Sequence, residues 1–368
     1  MSDVRVVVGP GVVADPTLLS EVAEREFAAL GVKGHIRYAR TVDELRPDGG
    51  IPVILPGPDP AARALMSEPV GPVVWLDLTR DDRVSPGKDA RHLHGRGVDG
   101  LAWAIRHAVH RTRHSARRIT YGPHPDQWAD LYLPPAAESP TAEPPTAEPP
   151  TTGSSSGGFP VIVLVHGGYW RSIWAADLME PLAADLVGRG FAVWNLEYRR
   201  PDLHGWQATT ADVAAGIDAL APAVEPALDL SRVAVAGHSA GAQLALRAAA
   251  DGARVALAVS LAGVLDLVEG ERRWLSSGAV ASALGPEAHV YGAASPLSRL
   301  PLKVRQLVVQ GSGDDLDLVD FSRRYARAAR ESGDDLTYLE MSGDHFAVID
   351  PATPIWRTTA VAMANALR

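Results

Sequence analysis

The chain has 368 residues, which at roughly 100–200 residues per domain leaves room for two or three domains. Apolar residues make up 46% of it and charged residues 21%, a balance that excludes a wholly disordered or fibrous protein. The net charge of −9 argues against a general nucleic-acid-binding protein, which would carry a basic surface. Because the sequence has no cysteine, disulfides, thiolate metal ligands and a cysteine nucleophile are excluded.

Two further patterns concern location and flexibility. No run of about 18 apolar residues occurs, and the N-terminus lacks the pattern of a secretory signal, so we expect no membrane span and a cytoplasmic location. Residues 134–158 consist of Pro, Thr, Ala, Glu, Ser and Gly. A segment without large apolar side chains cannot offset its loss of conformational entropy by burial, so this composition predicts a disordered, Pro-rich insertion.

The first part of the chain alternates short β-rich runs with helical patterns. The patterns predict strands at 4–8, 35–38, 52–55, 73–78 and 91–94, and helices at 16–30 and 98–110. Such an alternation is typical of βαβ units with a parallel sheet covered on both faces. The first part is therefore predicted to be a small flavodoxin-like α/β domain.

Two motifs in this part suggest ligands but have simpler explanations. Residues 95–100 spell G-x-G-x-x-G, yet they follow the fifth predicted strand and are not followed by the expected carboxylate, so we interpret them as a tight strand–helix turn. His107, His110 and His114 recur at helical spacing without an accompanying carboxylate motif. We interpret them as a solvated, basic helix end, and we predict neither a metal nor a cofactor.

Four stretches of this part carry a resemblance to a known family: Val7–Pro10, Ile54–Gly57, Val74–Asp77 and residues 95–104. Over residues 3–113 the chain resembles a degenerate type II 3-dehydroquinate dehydratase domain. In that family the first loop carries an arginine and a tyrosine, which residues 11–16 lack here, while Leu55 and Trp75 replace an asparagine and a histidine. The resemblance thus implies a domain without dehydratase chemistry, and a homo-oligomer formed through residues 1–114.

The remaining part of the chain contains a serine motif between a buried strand and a helix. The predicted strand 233–236 leads directly into Gly237-His238-Ser239-Ala240-Gly241, a G-x-S-x-G motif. The sharp turn needs neighbours without side chains two residues away on either side. It exposes the serine Oγ and directs the N-terminus of the following helix at a developing oxyanion. Ser239 is therefore the predicted nucleophile.

An oxyanion hole is predicted from a second glycine motif. His166-Gly167-Gly168 follows the predicted strand 160–165, which is where enzymes with this serine motif carry their second oxyanion donor. The backbone N–H groups of Gly168, Tyr169 and Ala240 are the candidates. We interpret the His166 side chain as a brace of this loop.

An acid and then a histidine are expected after the serine. The predicted strand 306–309 ends in a loop with three carboxylates, of which Asp314 is best placed, while Asp315 and Asp317 remain alternatives. His345 follows the predicted strand 336–341, and no other histidine follows His289, so His345 is the predicted general acid and base. Asp314 would then orient its imidazole.

Residues 118–368 resemble the α/β-hydrolase superfamily. Four stretches are similar to its arylformamidase (kynurenine formamidase) branch: residues 166–171, residues 197–199, residues 237–241 and residues 343–346. This resemblance implies hydrolysis of N-formyl-L-kynurenine or a related aryl formamide or ester. Trp170 and Trp174 are predicted to line an aromatic substrate pocket, and residues 265–300 are predicted to form a lid.

We therefore predict two domains: a flavodoxin-like domain at 1–114 and an α/β-hydrolase at 115–368. The Pro-rich insertion 134–158 lies within the second, because predicted hydrolase strands flank it. The favoured function is a serine hydrolase acting on a small-molecule substrate, with neither nucleic acid nor membrane as a partner. The alternatives are a general carboxylesterase or lactonase, and a dehydratase-like lyase or binding module formed by residues 1–114.

Overall fold

The structure is a computed structural model that describes residues 3–79, 84–135, 158–221, 225 and 227–368. Most of the predicted insertion, residues 136–157, lies outside the described residues. The chain divides into two compact units, of which the first comprises the chain up to Ser115 together with Ser172–Glu180, and the second comprises Ala116–Arg171 and Pro181–Arg368. None of the helices in the described ranges is both long and apolar enough to cross a membrane.

The first unit is built on a parallel five-stranded sheet. Its strands have the order β2-β1-β3-β4-β5, which is the order of the flavodoxin-like fold predicted for this part of the chain. The elements described in this unit are β1 (Asp3–Val8), α1 (Pro16–Leu30), β2 (Lys33–Tyr38), β3 (Val53–Leu55), α2 (Pro60–Leu65), β4 (Val74–Asp77), β5 (Arg91–His94) and α3 (Gly100–Arg113).

Local chemistry fixes the ends of the first helix. The Asp15 side chain accepts a hydrogen bond from the Leu18 N–H, and Pro16 occupies the first turn, where its missing N–H costs nothing. Gly31 ends α1 in the left-handed conformation, with φ at 60°. Leu19, Val22 and Phe27 on one face of this helix are buried in the core beside β1. These signals explain why α1 has the bounds predicted for it.

Ser172–Glu180 groups with the first unit through buried ion pairs. The Arg96 guanidinium donates to both carboxylate oxygens of Asp177, at 2.6 and 2.9 Å, and also to the Ile173 carbonyl oxygen. The His107 Nδ1 lies 2.8 Å from Oε2 of Glu180, and both side chains are buried. The units therefore differ from the predicted division into 1–114 and 115–368 at this segment.

The structure also corrects the interpretation of the helix α3 histidines. His107 and His110 are buried rather than solvated, with 5% and 8% of their surface exposed. Burial lowers the pKa of His110 to about 4, against the charge of Glu180, which raises it. The helical spacing alone could not show that an acidic residue 73 positions away would pair with His107. The turn at 95–100, by contrast, is as predicted, since Gly95 and Gly97 both have positive φ.

The second unit is built on an eight-stranded sheet with the order β6-β7-β9-β8-β10-β11-β12-β13. Strand β7 runs antiparallel to both of its neighbours, and the remaining pairs are parallel. Its described strands are β6 (Arg117–Thr120), β7 (Trp128–Tyr132), β8 (Phe159–Val165), β9 (Ala192–Leu196), β10 (Leu228–His238), β11 (Leu257–Leu261), β12 (Arg305–Gly311) and β13 (Leu336–Met341).

The helices of this part lie between the strands along the chain, except the last helix, which follows β13. They are α4 (Glu180–Gly188), α5 (Pro201–His204), α6 (Trp206–Asp218), α7 (Ala240–Ala250), α8 (Leu267–Arg272), α9 (Ala279–Leu284), α10 (Ala288–Ala294), α11 (Leu316–Glu331) and α12 (Pro354–Ala366). Central strands such as β8 and β11 are apolar and buried on both faces, as parallel strands covered on both sides require. Because β10, β12 and β13 share one direction, the loops that follow them meet at one edge of the sheet.

Candidate active site

Ser239 occupies a strained turn between β10 and α7. Its φ of 54° and ψ of −118° are unfavourable for a residue with a side chain. The surrounding structure holds it there: the Ser239 N–H donates to the Leu261 carbonyl oxygen at 2.9 Å, and the Val264 N–H donates to the Ser239 carbonyl oxygen at 3.2 Å. Backbone strain of this kind is typical of a nucleophilic serine whose Oγ is exposed by a sharp turn between a strand and a helix.

The two glycines of the serine motif are required by backbone packing. A Cβ atom at Gly237 would lie 2.1 Å from the Gly241 carbonyl oxygen. A Cβ atom at Gly241 would lie 2.2 Å from the Val165 carbonyl oxygen at the end of β8. The turn can therefore close against the sheet only if both positions lack side chains, as the spacing of the motif predicts.

Asp314 and His345 are hydrogen-bonded to each other at the ends of adjacent strands. The His345 Nδ1 lies 2.9 Å from Oδ2 of Asp314. Gln310 Nε2 donates to the same carboxylate oxygen at 2.9 Å, and the Asp315 N–H donates to Oδ1 at 2.6 Å. With Nδ1 donating to Asp314, the His345 Nε2 is left free to accept a proton.

The carboxylate of Asp314 is stabilised in its charged form. Burial by itself would raise the pKa of Asp314, but the hydrogen bond and charge of His345, together with the Gln310 amide, outweigh burial and hold this pKa below its usual value. Gln310 is itself fully buried and accepts a hydrogen bond from the Ser322 hydroxyl at 2.8 Å. Gln310 was not among the predicted site residues, although a glutamine inside an apolar strand indicates that its buried amide has a hydrogen-bond partner.

The two alternative acids have other partners. Asp315 is the N-cap of α11, where its side chain accepts a hydrogen bond from the Asp317 N–H at 2.8 Å. The Asp317 carboxylate accepts from Arg273 at 2.7 Å. The carboxylate that lies within hydrogen-bond distance of the His345 ring is that of Asp314, so the geometry favours Asp314 as the orienting acid.

The serine turn and the histidine loop are joined through the residue before the serine. His238 Nε2 lies 3.0 Å from the His345 carbonyl oxygen, and the two imidazole rings are 4.7 Å apart. The loops after β12 and β13 are joined as well, because the Gly313 N–H donates to the Gly343 carbonyl oxygen at 2.8 Å. The three candidate residues Ser239, Asp314 and His345 thus lie on loops that contact one another at one edge of the sheet.

The loop after β8 lies against the serine turn. A Cβ atom at Gly167 would lie 3.0 Å from the Ser239 Cβ, so the backbone of this loop packs directly against the nucleophile. Gly168, Tyr169 and Trp170 follow it with φ values of 112°, 48° and 57°. Ala240 is the first residue of α7, where backbone N–H groups have no partner inside the helix. The three candidate oxyanion donors therefore come from this loop and from the helix N-terminus.

His166 braces this loop, as interpreted from the sequence. Its ring stacks on Tyr198 and its Nε2 lies 3.2 Å from Oε1 of Glu197. The Tyr198 hydroxyl in turn donates to the His166 carbonyl oxygen at 2.7 Å. These contacts hold the loop after β8 against the residues that follow the neighbouring strand β9.

The two tryptophans predicted to line a substrate pocket have structural contacts instead. Trp170 is 1% exposed, and its indole N–H donates to Oε1 of Gln243 in α7 at 3.0 Å. Trp174 belongs to the first unit, where its ring meets Trp103 edge-on and lies under the Arg96 guanidinium. Aromatic residues after a glycine motif look alike in sequence whether they pack in a core or contact a ligand, which explains why this prediction is not supported.

The side chain of Tyr169 is the aromatic group of this loop that lies near the acid. Burial raises the pKa of Tyr169, and the charges of Asp315 and Asp314 raise it further. Tyr169 also forms a side-chain hydrogen bond with Ser276, and Arg171 donates to the Ser276 carbonyl oxygen at 3.3 Å. The segment after α8, which belongs to the predicted lid, therefore contacts the candidate oxyanion loop.

One group of side chains in the described part of the chain has the composition of a metal site. Ligand atoms of His124, Asp126 and His204 lie within 4.8 Å of one another. However, the Arg200 guanidinium lies 3.6 Å from the Asp126 carboxylate and already supplies a positive charge there, which it shares with Glu197. The Asp126 N–H also donates to Nδ1 of His124, which leaves the proton of the neutral ring on Nε2, the atom that a metal would need. These contacts do not favour a cation at this position.

Comparisons with known proteins agree with this architecture. The family model BD-FAE matches residues 149–273, which include Ser239. A search of curated protein sequences finds no match. Solved structures with a similar fold include a carboxyl esterase from the mycorrhizal fungus Tuber melanosporum, at 17% identity and a TM-score of 0.55, which covers 69% of this chain and 88% of that one.

Two other structures are similar to the same extent. A bacterial heroin esterase is 21% identical with a TM-score of 0.55, covering 69% of this chain and 84% of that one. Esterase B from Lactobacillus rhamnosis is 16% identical with a TM-score of 0.56 and the same two coverages. At identities this low, the similarity shows that these proteins share a fold with this chain, and it shows the fold alone. The chain therefore contains an α/β-hydrolase fold, and the BD-FAE match lies in the part of the chain that carries Ser239.

Proposed function

We propose that this protein is a serine hydrolase that cleaves a carboxylic ester or an aryl formamide through an acyl-enzyme. The observation that carries the proposal is the Asp314–His345 hydrogen bond of 2.9 Å on loops joined to the strained turn of Ser239. A nucleophile, an orienting acid and a histidine base in this order along the chain form the arrangement that α/β-hydrolases use.

In the first half of the reaction, Ser239 Oγ attacks the carbonyl carbon of the substrate while Nε2 of His345 takes the hydroxyl proton. The charge that develops on the carbonyl oxygen is stabilised by the N–H groups of Ala240, Gly168 and Tyr169 and by the N-terminus of α7. Asp314 stabilises the imidazolium that forms on His345. The tetrahedral intermediate collapses when this imidazolium protonates the leaving alcohol or arylamine.

In the second half, a water molecule takes the place of the leaving group. His345 Nε2 removes a proton from it as the water oxygen attacks the acyl carbon on Ser239. A second tetrahedral intermediate uses the same oxyanion donors and releases the carboxylic acid, or formic acid from a formamide, while the proton returns to Ser239 Oγ. Esters, lactones and formamides all pass through this intermediate, so the triad serves each of them.

For the substrate we propose an aryl formamide of the N-formyl-L-kynurenine type, from the similarity of residues 166–171 and 343–346 to arylformamidases. A carboxylic ester is the second candidate, favoured by the names of the structures with a similar fold, which are esterases. The Tyr169 side chain near Asp314 is the aromatic group we propose to contact the substrate. It replaces Trp170 and Trp174 in that role.

We propose that the first unit takes no part in the hydrolysis. At the positions where dehydratases of the similar family carry an asparagine and a histidine, the side chains of Leu55 and Trp75 are apolar and at most 1% exposed. We propose that this unit is a binding or assembly module rather than a lyase. Light scattering of the full chain tests assembly: a multiple of 39.0 kDa is expected, and a 39.0 kDa monomer at micromolar concentration would contradict it.

An activity panel tests the proposed hydrolase. N-formyl-L-kynurenine, phenyl acetate, p-nitrophenyl esters of graded chain length and a γ-lactone are given to the wild type, to Ser239→Ala and to the exposed control His35→Gln. We expect hydrolysis by the wild type and the control, and a loss of at least about 10⁴-fold in Ser239→Ala. The ratio of formamide to ester kcat/KM identifies the substrate class. Full activity of Ser239→Ala would overturn the proposal, and a wild type that turns over none of these compounds would overturn the proposed substrate classes.

A further inference from the structure

His238, the second residue of the G-H-S-A-G motif, is a buried side chain that the proposed reaction does not use. It ends β10 immediately before the nucleophile and is 1% exposed. Its ring lies 4.7 Å from the ring of His345 and 5.8 Å from that of Phe346. The tight backbone contacts of Gly237 and Gly241 close the turn and do not involve the His238 side chain.

We propose that His238 is a positioning residue for the general base, holding the His345 loop at a fixed distance from Ser239 through a hydrogen bond from its Nε2–H to the His345 carbonyl oxygen. This inference rests on the proposed function. The donor and acceptor are 3.0 Å apart. Because the donor is the side chain of the residue next to the nucleophile, the bond connects the backbone of the general base to the serine turn.

The surroundings of the ring fix which nitrogen carries the proton. A carbonyl oxygen can only accept, so Nε2 must be the protonated nitrogen. No described residue offers the buried Nδ1 a hydrogen-bond partner. A Cβ atom at Gly167 would lie 3.1 Å from Nδ1, so this nitrogen faces the loop with the candidate oxyanion donors. A second proton on Nδ1 would point at that loop without an acceptor.

Burial and the charges around His238 keep the ring neutral. Burial, together with the nearby charges of His345 and His166, lowers the pKa of His238 to about 3, against Asp314 and the hydrogen bond to the His345 backbone, which raise it. The ring therefore remains a single neutral tautomer across the pH range in which a histidine base works. Its effect on His345 is geometric, since it adds no charge that changes with pH.

Two substitutions separate the hydrogen bond from the bulk of the ring. Glutamine in the variant His238→Gln carries an N–H donor at about the reach of Nε2, whereas asparagine in His238→Asn carries it near the position of Nδ1. The readouts are kcat and KM for the best substrate of the panel, the pH at half-maximal kcat/KM, and the rate at which a fluorophosphonate labels Ser239. Labelling depends on the triad and not on the identity of the substrate.

We expect His238→Gln to stay within about threefold of the wild type in kcat and in labelling rate. His238→Asn should lose about tenfold in both, which is the size of one lost hydrogen bond, with KM changed less than about twofold. The pH at half-maximal kcat/KM should stay the same in His238→Gln, because a neutral group replaces a neutral group. Equal rates for the two variants, or a shifted pH profile in His238→Gln, would overturn the proposal.

A further measurement is made on the wild-type protein, and it uses a variant only to assign one signal. In full-length protein labelled with ¹⁵N-histidine, the His238 Nε2–H should give a slowly exchanging ring signal between pH 5 and 9, assigned by its loss in His238→Gln. Absence of this signal would overturn the proposal. If the wild type turns over no substrate but is labelled at Ser239, the substrate assignment fails while this inference is still tested. If the wild type is not labelled, the proposed function itself fails.

Discussion

The Asp314 carboxylate accepts a hydrogen bond from Nδ1 of His345 across 2.9 Å, although 31 positions separate the two residues in the chain. The pairing of β12 with β13 brings them together, because parallel neighbours end at the same edge of the sheet. Gln310 holds the carboxylate from the strand side and the Asp315 N–H holds it from the helix side. An acid fixed in this way can orient the imidazole without reorganising during the reaction.

Replacing this acid should remove most of the activity. Asp314→Asn keeps the shape of the side chain but presents the wrong hydrogen-bonding group to Nδ1, so we expect kcat to fall by roughly 10³–10⁴-fold. The matched control is Asp315→Asn, in which asparagine caps α11 as well as aspartate does and kcat should change less than about threefold. Steady-state kinetics at saturating substrate measure both. An inactive Asp315→Asn beside an active Asp314→Asn would reverse the assignment of the acid.

The serine turn should not tolerate a methyl group. In Gly237→Ala the new Cβ would lie 2.1 Å from the Gly241 carbonyl oxygen, and we expect the free energy of unfolding to fall by at least about 3 kcal/mol. Gly292 lies within α10, where a Cβ atom would meet nothing within 4 Å, so Gly292→Ala should raise stability by up to about 1 kcal/mol. Urea unfolding compares the two. Similar stabilities of both variants would contradict the backbone contact described for the turn.

Acid should destabilise the first unit through His110. Burial and the charges of His114 and His107 hold the folded-state pKa at about 4 against Glu180, below the ordinary value of 6.5. Below pH 6.5, His110 therefore binds a proton in the unfolded chain but not in the folded protein. The free energy of unfolding falls as the pH drops toward 4. For a single site this loss is about 2 kcal/mol at pH 5.

The variant His110→Gln isolates this contribution, because glutamine does not titrate. Between pH 7 and pH 5 the wild type should lose about 2 kcal/mol more of its unfolding free energy than His110→Gln does. The exposed variant His35→Gln is the control and should behave like the wild type. Identical losses in wild type and His110→Gln would show that this ring is not protonated differently in the folded and unfolded states.

Much of the candidate site is predictable because its signals are local. Gly237 and Gly241 flank Ser239 at a fixed spacing, and a strand and a helix on either side make the turn recognisable. His345 follows by elimination, since no histidine other than His289 competes for its place in the latter part of the chain. The parallel α/β architecture of the first sheet likewise follows from alternating strands and helices.

The parts that could not be predicted depend on contacts between distant residues. His107 and Glu180, or His238 and the His345 backbone, are paired by the fold and carry no shared pattern in the sequence. The burial of Trp170 against Gln243 is of the same kind. Strand β11 (Leu257–Leu261) was not predicted. It follows an alanine-rich helix, and a short apolar run after such a helix cannot be recognised as a strand from hydrophobic periodicity.

The central claim is that Ser239 is the nucleophile of a hydrolase, and covalent labelling tests it most directly. The full-length protein is incubated with a fluorophosphonate, and the modified residue is located by mass spectrometry after proteolysis. We predict one adduct, on Ser239, with activity lost in proportion to labelling and no adduct in Ser239→Ala. An unlabelled wild type, or an adduct on another residue with hydrolysis intact, would contradict the account.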